Sequence, residues 1–222
     1  MIEGPLVFLD VDTQRDFLDP TGALFVPDSE AILDNLSRLT EYARAHAVPV
    51  IATACAHSLE DAEEIARFGP HCMAGTRGQT RVPQTEWPGG LVIGPADAFE
   101  ESNFVPPAHL TIEKRDYDVF THPEAARVFE RYARDRPTFV VYGVATDFCV
   151  KAAVFGLLDR DCKVAVVVDA VRAIDAVREP EVFAEFTARG AVLTVTDVVC
   201  ADRGPDPDRF VPEADEIEET LL

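Results

Sequence analysis

No apolar run in this 222-residue sequence approaches the ~20 residues that a bilayer span needs. A basic leader is also lacking, since Met1 is followed by Glu3 and then directly by a short strand-like run. Neither a membrane partner nor a signal peptide is expected, and the expected compartment is cytoplasmic. Positive charge is scarce: twenty Lys and Arg against forty Asp and Glu give a formal charge of −20. Such a field repels phosphate backbones and anionic lipid, which disfavours nucleic-acid partners. Cysteine is sparse and odd in number, with Cys55, Cys72, Cys149, Cys162 and Cys200. A chain this long has no need of disulfide staples, so reduced thiols are expected, with metal and catalytic roles open. No Gly-x-Gly-x-x-Gly follows the first apolar run, which argues against dinucleotide binding. What is present is an ordinary globular composition, 47% hydrophobic and 27% charged. It is consistent with one large domain over residues 1–200 followed by an acidic tail over 201–222.

The chain alternates short β-branched runs with longer amphipathic segments. Strand-like runs occupy Leu6–Asp12, Val48–Thr53, Leu110–Glu113, Thr138–Tyr142, Lys163–Val168 and Ala191–Val195. Helical spacing fits Ser29–Ala47, where Ile32, Leu33, Leu36 and Leu39 share a face, and also Pro123–Asp135, Asp147–Arg160 and Glu179–Arg189. The strands lack in/out alternation, as expected when both faces of a parallel sheet are buried. The expectation is a three-layer, doubly wound α/β fold with a mainly parallel six-stranded sheet. Residues 54–108 break the rhythm with scattered Pro, Gly, His and Arg, and long irregular insertions of this kind are usually functional.

Ligands of open parallel sheets bind beyond the carboxyl ends of the strands. Three such ends carry reactive groups: Asp12 at the end of the first run, Lys114 at the end of the third and Cys149 following the fourth. Thr146 is a suitable N-cap that would put Cys149 in the first turn of a helix, where unpaired amides lower a thiol pKa. Asp12, with Asp10 and Asp16 nearby, is placed where a desolvated carboxylate can be tuned for proton transfer. Each residue also has a plain alternative: Cys149 as core filling, Asp12 as a loop residue, Lys114 as a solvated lysine.

Asp12-Thr13-Gln14-Arg15-Asp16-Phe17, Lys114 with Tyr117 and Phe120, and Gly143-Val144-Ala145-Thr146-Asp147-Phe148-Cys149-Val150 together resemble the isochorismatase-like cysteine hydrolases. The stretch Pro70-His71-Cys72-Met73-Ala74-Gly75-Thr76-Arg77-Gly78 is similar to the nicotinamidase branch. The resemblance implies a Rossmann-like sheet of order 3-2-1-4-5-6, a homo-oligomer, and a Cys149-Asp12-Lys114 triad. It further implies a cis Val144-Ala145 bond and an oxyanion hole from the amides of Ala145 and Cys149. The implied activity is cleavage of a small amide through a thioester, with nicotinamide as first candidate. Nicotinamidases carry a metal held by Asp-x-His and a later His, whereas here the pair reads Cys55-Ala56-His57, followed by Glu64 and His71. One thiolate with two imidazoles suits zinc, although Cys55 as a buried hydrophobe would abolish the site. Phe17, Phe68, Tyr117 and Phe120 are candidates for the walls of a flat ring pocket. The short segment from Lys114 to Phe120 resembles isochorismatases and carbamoyl-amide hydrolases instead. Vinyl-ether hydrolysis is therefore an alternative that the intact Cys149 weighs against, and a noncatalytic Rossmann-like binding protein is another.

Overall fold

A computed structural model describes residues 4–98 and 106–201. The expected acidic tail therefore lies, apart from Ala201, outside the described residues. Seven strands form one sheet: β1 (Leu6–Val11), β2 (Val50–Cys55), β3 (Leu91–Ile93), β4 (His109–Lys114), β5 (Thr138–Val144), β6 (Lys163–Arg172) and β7 (Val192–Thr194). Their order is β3-β4-β2-β1-β5-β6-β7, and every neighbouring pair is parallel. Six of them stand in the expected order 3-2-1-4-5-6, and β3 is added at the outer edge. This seventh strand is three residues long within the irregular insertion, and Leu91 and Val92 are 45% and 53% exposed, so it lacks the buried apolar run that marks the others.

Continuous burial along β1, β2 and β5 follows from cover on both faces. One face packs α4 (Ala125–Tyr132), α5 (Lys151–Leu158) and α6 (Glu179–Ala188), with Val128, Phe129, Val154, Leu157 and Phe186 meeting Val7, Leu9 and Val141. The opposite face packs α2 (Leu33–Ala45) through Leu36, Leu39 and Ala43 against Phe8, Val140 and Tyr142. Burying several such side chains, at about 1.5–3 kcal/mol each, is what fixes the layers. Among the described residues there are also three short helices, α1 (Arg15–Leu18), α3 (Ala62–Phe68) and α7 (Thr196–Val199). No helix among the described residues is long and apolar enough to cross a membrane.

After β1 the chain moves outward to β2 and β4, then returns to lay β5 on the other side of β1. That reversal is the switch point where α/β sheets open a crevice at their carboxyl ends. Gly143 allows β1 and β5 to approach there. It has φ 112°, and a Cβ in its place would lie 2.0 Å from the Val11 carbonyl oxygen.

Candidate active site

Strands β1, β2, β4 and β5 deliver their final residues to one place. Asp12 follows β1 at φ 48°, in the left-handed region that Asp tolerates better than most residues. Its Oδ1 accepts a 2.6 Å hydrogen bond from the Thr53 hydroxyl, and its Oδ2 lies 2.8 Å from Lys114 Nζ. Lys114 ends β4 directly beside Cys55, the last residue of β2. The ammonium points at two sulfurs, 3.1 Å from Cys55 Sγ and 3.7 Å from Cys149 Sγ, and also donates to the Asp116 carbonyl at 3.1 Å. Gln14 clamps the Cys55 backbone by accepting from its N–H and donating to its carbonyl, both at 2.7 Å. Asp12 and Lys114 are 0% and 1% exposed, so this ion pair is shielded from water.

Burial acts to raise the Asp12 carboxyl, but Lys114 and the hydrogen bonds from Lys114, Thr53 and Cys149 outweigh it and hold the group below the usual carboxylate range. Burial likewise opposes charge on Lys114, yet Asp12 and the two thiols keep the ammonium protonated well above its ordinary range. The helix after β5 differs from expectation. Ala145 occupies the cap position, while the Thr146 hydroxyl donates to Glu179 Oε1 at 2.9 Å. Thr146–Val150 is a π-helical turn, a form common at functional sites, and Cys149 belongs to it. Its thiol is pushed up rather than down, by the hydrogen bond to Cys55 and by burial, against the pull of Lys114. The Val144-Ala145 bond is cis.

A second cluster adjoins the first. The ligand atoms of Cys55, His57 and His71 lie within 4.8 Å of one another, and all three residues are buried. The insertion returns His71 to this place by pairing alongside His57: His57 N–H donates to the Cys72 carbonyl at 3.1 Å and Ala74 N–H to the His57 carbonyl at 2.8 Å. Asp16 pins the same turn by accepting from Cys72 N–H at 2.7 Å. His71 Nδ1 bonds the Gly69 carbonyl at 2.9 Å, which leaves Nε2 for a ligand, as metal-bound imidazoles are usually arranged. Among the described residues neither His57 ring nitrogen has a hydrogen-bond partner, and Asp61 Oδ2 at 3.8 Å is beyond reach. Burial, with the His71 and Lys114 charges, pushes His57 down to about 4, so it is neutral and able to coordinate. A buried histidine with orphaned nitrogens beside a thiol and a second imidazole fits a divalent ion. Glu64 falls outside this group of ligand atoms; it sits on α3, where burial and Asp116 raise its carboxyl.

The proposed wall residues separate into two sets. Phe17 packs on the His71 ring at 5.5 Å, and Phe68 meets both His71 at 6.2 Å and Phe148 at 5.2 Å. Tyr117 meets Phe148 at 6.3 Å. Phe120 instead packs on Phe129 and lies over Gly156 beneath Arg160, away from these rings, because its short 3-10 turn faces α4 and α5. Sequence reasoning passed over Phe148 and Gln14, although one neighbours Cys149 and the other lies inside the Asp12–Phe17 motif.

Residues 6–198 match the family model described as the isochorismatase domain. The chain belongs to the isochorismatase family. Within that family's relatives, the nicotinamidase of Escherichia coli (strain K12) is 28% identical over 211 residues, spanning 85% of this chain and 94% of that protein. N-carbamoylsarcosine amidase from Thermoplasma acidophilum has a similar structure, with TM-score 0.69 at 23% identity over 87% of this chain and 98% of that one. The pyrazinamidase of Pyrococcus horikoshii in complex with zinc gives TM-score 0.67 at 23% identity, over 86% and 99%. These structural likenesses show a shared fold.

Proposed function

We propose that this isochorismatase-family hydrolase is a cysteine amidase that cleaves a small linear amide through a thioester, with nicotinamide as first candidate. The supporting observation is the buried convergence of Asp12, Lys114 and Cys149 at the switch point of the sheet. Cys149 Sγ attacks the amide carbon while Asp12 takes the thiol proton. The oxyanion is held by the N–H groups of Ala145 and Cys149. Asp12 then gives the proton to the departing nitrogen, ammonia leaves, and water attacks the thioester with Asp12 again as base, releasing the acid. Lys114 keeps Asp12 ionised in the resting enzyme and holds it in place throughout. Cys55, His57 and His71 would hold a divalent ion, zinc on grounds of ligand softness, which when bound supplies Lewis-acid orientation of the substrate. Phe17, Phe68 and Tyr117 would wall the pocket. The test is ammonia release from nicotinamide, pyrazinamide, carbamoyl amino acids and ureido acids, with Cys149→Ala as control. Release from at least one amide that disappears in the variant is expected. Release that survives Cys149→Ala would refute the assignment.

A further inference from the structure

Behind the Asp12 turn stands a second buried ion pair. Asp10, in the otherwise apolar strand β1 two residues before Asp12, pairs with Arg81 of the insertion, and the two side chains are 2% and 12% exposed. The pair converges on one hydroxyl. Thr13 Oγ1 donates to Asp10 Oδ1 at 2.8 Å and accepts from Arg81 Nη2 at 3.0 Å, and the Thr85 hydroxyl lies 2.7 Å from it. Arg81 Nε donates to the Thr85 carbonyl at 3.1 Å, which orients the guanidinium. The bond between Thr13 and Asp10 closes a loop around Asp12, whose backbone is in the left-handed region at φ 48°. Main-chain bonds clamp the same turn: Val82 N–H donates to the Thr13 carbonyl at 3.0 Å, Arg15 N–H to the Thr80 carbonyl at 2.9 Å and Gln14 N–H to the Asp12 carbonyl at 2.7 Å. Gln14, which clamps Cys55, also forms an antiparallel bridge with Arg81. Electrostatics alone give no reason for these charges. Burial raises the Asp10 carboxyl against the pull of Arg81 and Thr13, and a buried ion pair is often no more stable than a well-packed apolar pair of the same size. What the pair does supply is a fixed place for Thr13.

We propose that Arg81 is a positioning residue for the reaction, which acts through Asp10 and Thr13 to fix the turn that aims the Asp12 carboxylate at Cys149. The proposal rests on the amidase reading, in which Asp12 moves the proton. Thr53 and Lys114 hold the carboxylate oxygens, whereas the turn that carries them is held from behind by Asp10, Thr13 and Arg81. A left-handed backbone at a residue with a Cβ persists only where its surroundings enforce it. Without the pair the turn relaxes and the base moves relative to the sulfur, and a displacement of about 1 Å costs about a hundredfold in rate.

The experiment replaces the ion pair by apolar side chains of similar size, in Asp10→Leu/Arg81→Met. The melting temperature should match or exceed that of the wild type, as is common when a buried ion pair is exchanged in this way. With the amide that releases most ammonia, kcat should nevertheless fall by about a hundredfold while KM stays within about threefold, because the aim of the base bears on the transition state and not on binding. A pair that served stability alone would leave kcat untouched in the folded variant. Thr13→Val and Thr13→Ser form a second test with the ion pair in place: losing the hydroxyl should lower kcat, and serine, which keeps it, should restore most of the rate. Iodoacetamide alkylation of Cys149, followed by peptide mapping, reads the same aim without any substrate and should slow by at least about tenfold in the double variant. A double variant whose kcat and alkylation rate stay within about threefold of wild type overturns the proposal and leaves the amidase reading intact. If that variant does not fold, the same result in Thr13→Val overturns it. If no amide releases ammonia, the amidase reading fails and alkylation decides alone: slowing in Thr13→Val that Thr13→Ser reverses upholds the positioning role, and equal rates overturn it.

Discussion

In Asp12→Asn the side chain keeps its shape and loses its charge beside Lys114, which is 1% exposed and 2.8 Å from the carboxylate. Removing one partner of a buried ion pair costs about 3–5 kcal/mol, because the other charge is left without compensation. Here the ammonium retains the Asp116 carbonyl and two sulfur acceptors, so the lower end, about 3 kcal/mol, is expected. For a chain of this size that is about 6–12 °C in melting temperature. The loss should depend on pH with a definite sign. Asp12 titrates below its ordinary 3.8 in the folded protein, so its stabilisation is present above that value and disappears as pH falls through the folded value. Wild type and variant should therefore converge in strong acid. Turnover should fall by at least about 10³, since one carboxylate moves the proton in both halves of the reaction. The double variant Asp12→Asn/Lys114→Met separates the two roles. It removes the orphaned charge and should recover much of the stability, while turnover stays lost. Urea unfolding and ammonia release read the two quantities. An Asp12→Asn protein within about 0.5 kcal/mol of wild type would refute the buried-pair argument. Turnover within about tenfold of wild type would place the base elsewhere.

Three further outcomes follow from single features. His109, 5% exposed against Trp87, is pushed down to about 3 by burial and by Arg81 and Arg44, so the unfolded chain binds the extra proton between pH 6.5 and about 3. Lowering the pH from 8 to 4.5 should cost wild type about 2–3 kcal/mol more than His109→Phe in urea unfolding, and parallel losses would show that His109 contributes nothing to acid sensitivity. Gly143→Ala must force a Cβ toward the Val11 carbonyl at φ 112°, so it should cost several kcal/mol or prevent folding, and a protein of unchanged melting temperature would contradict the geometry. Protein purified without chelator should hold zinc that His71→Ala depletes and acid releases, whereas Cys55→Asp should shift uptake toward iron or manganese; elemental analysis showing no dependence on His71 would remove the metal from the mechanism.

How far the chain could be read in advance depended on whether a feature was local. β1, β2 and β5 were legible because strands covered on both faces must be continuous apolar runs. The edge strand β3 was not, since half of its surface faces water and three residues carry no period. Asp12, Lys114 and Cys149 each end or follow a strand, so their convergence could be anticipated once the strand order was assumed. The pairing of Lys114 with Cys55 could not, because register across β2 and β4 is set by long-range packing. The same limit explains Phe120, whose aromatic character is visible in the chain but whose turn toward α4 is not. Chemistry common to the fold is written at strand ends and repeats with the architecture. Binding and specificity are carried disproportionately by loops and surface segments, which obey no such period and so leave less trace in the sequence.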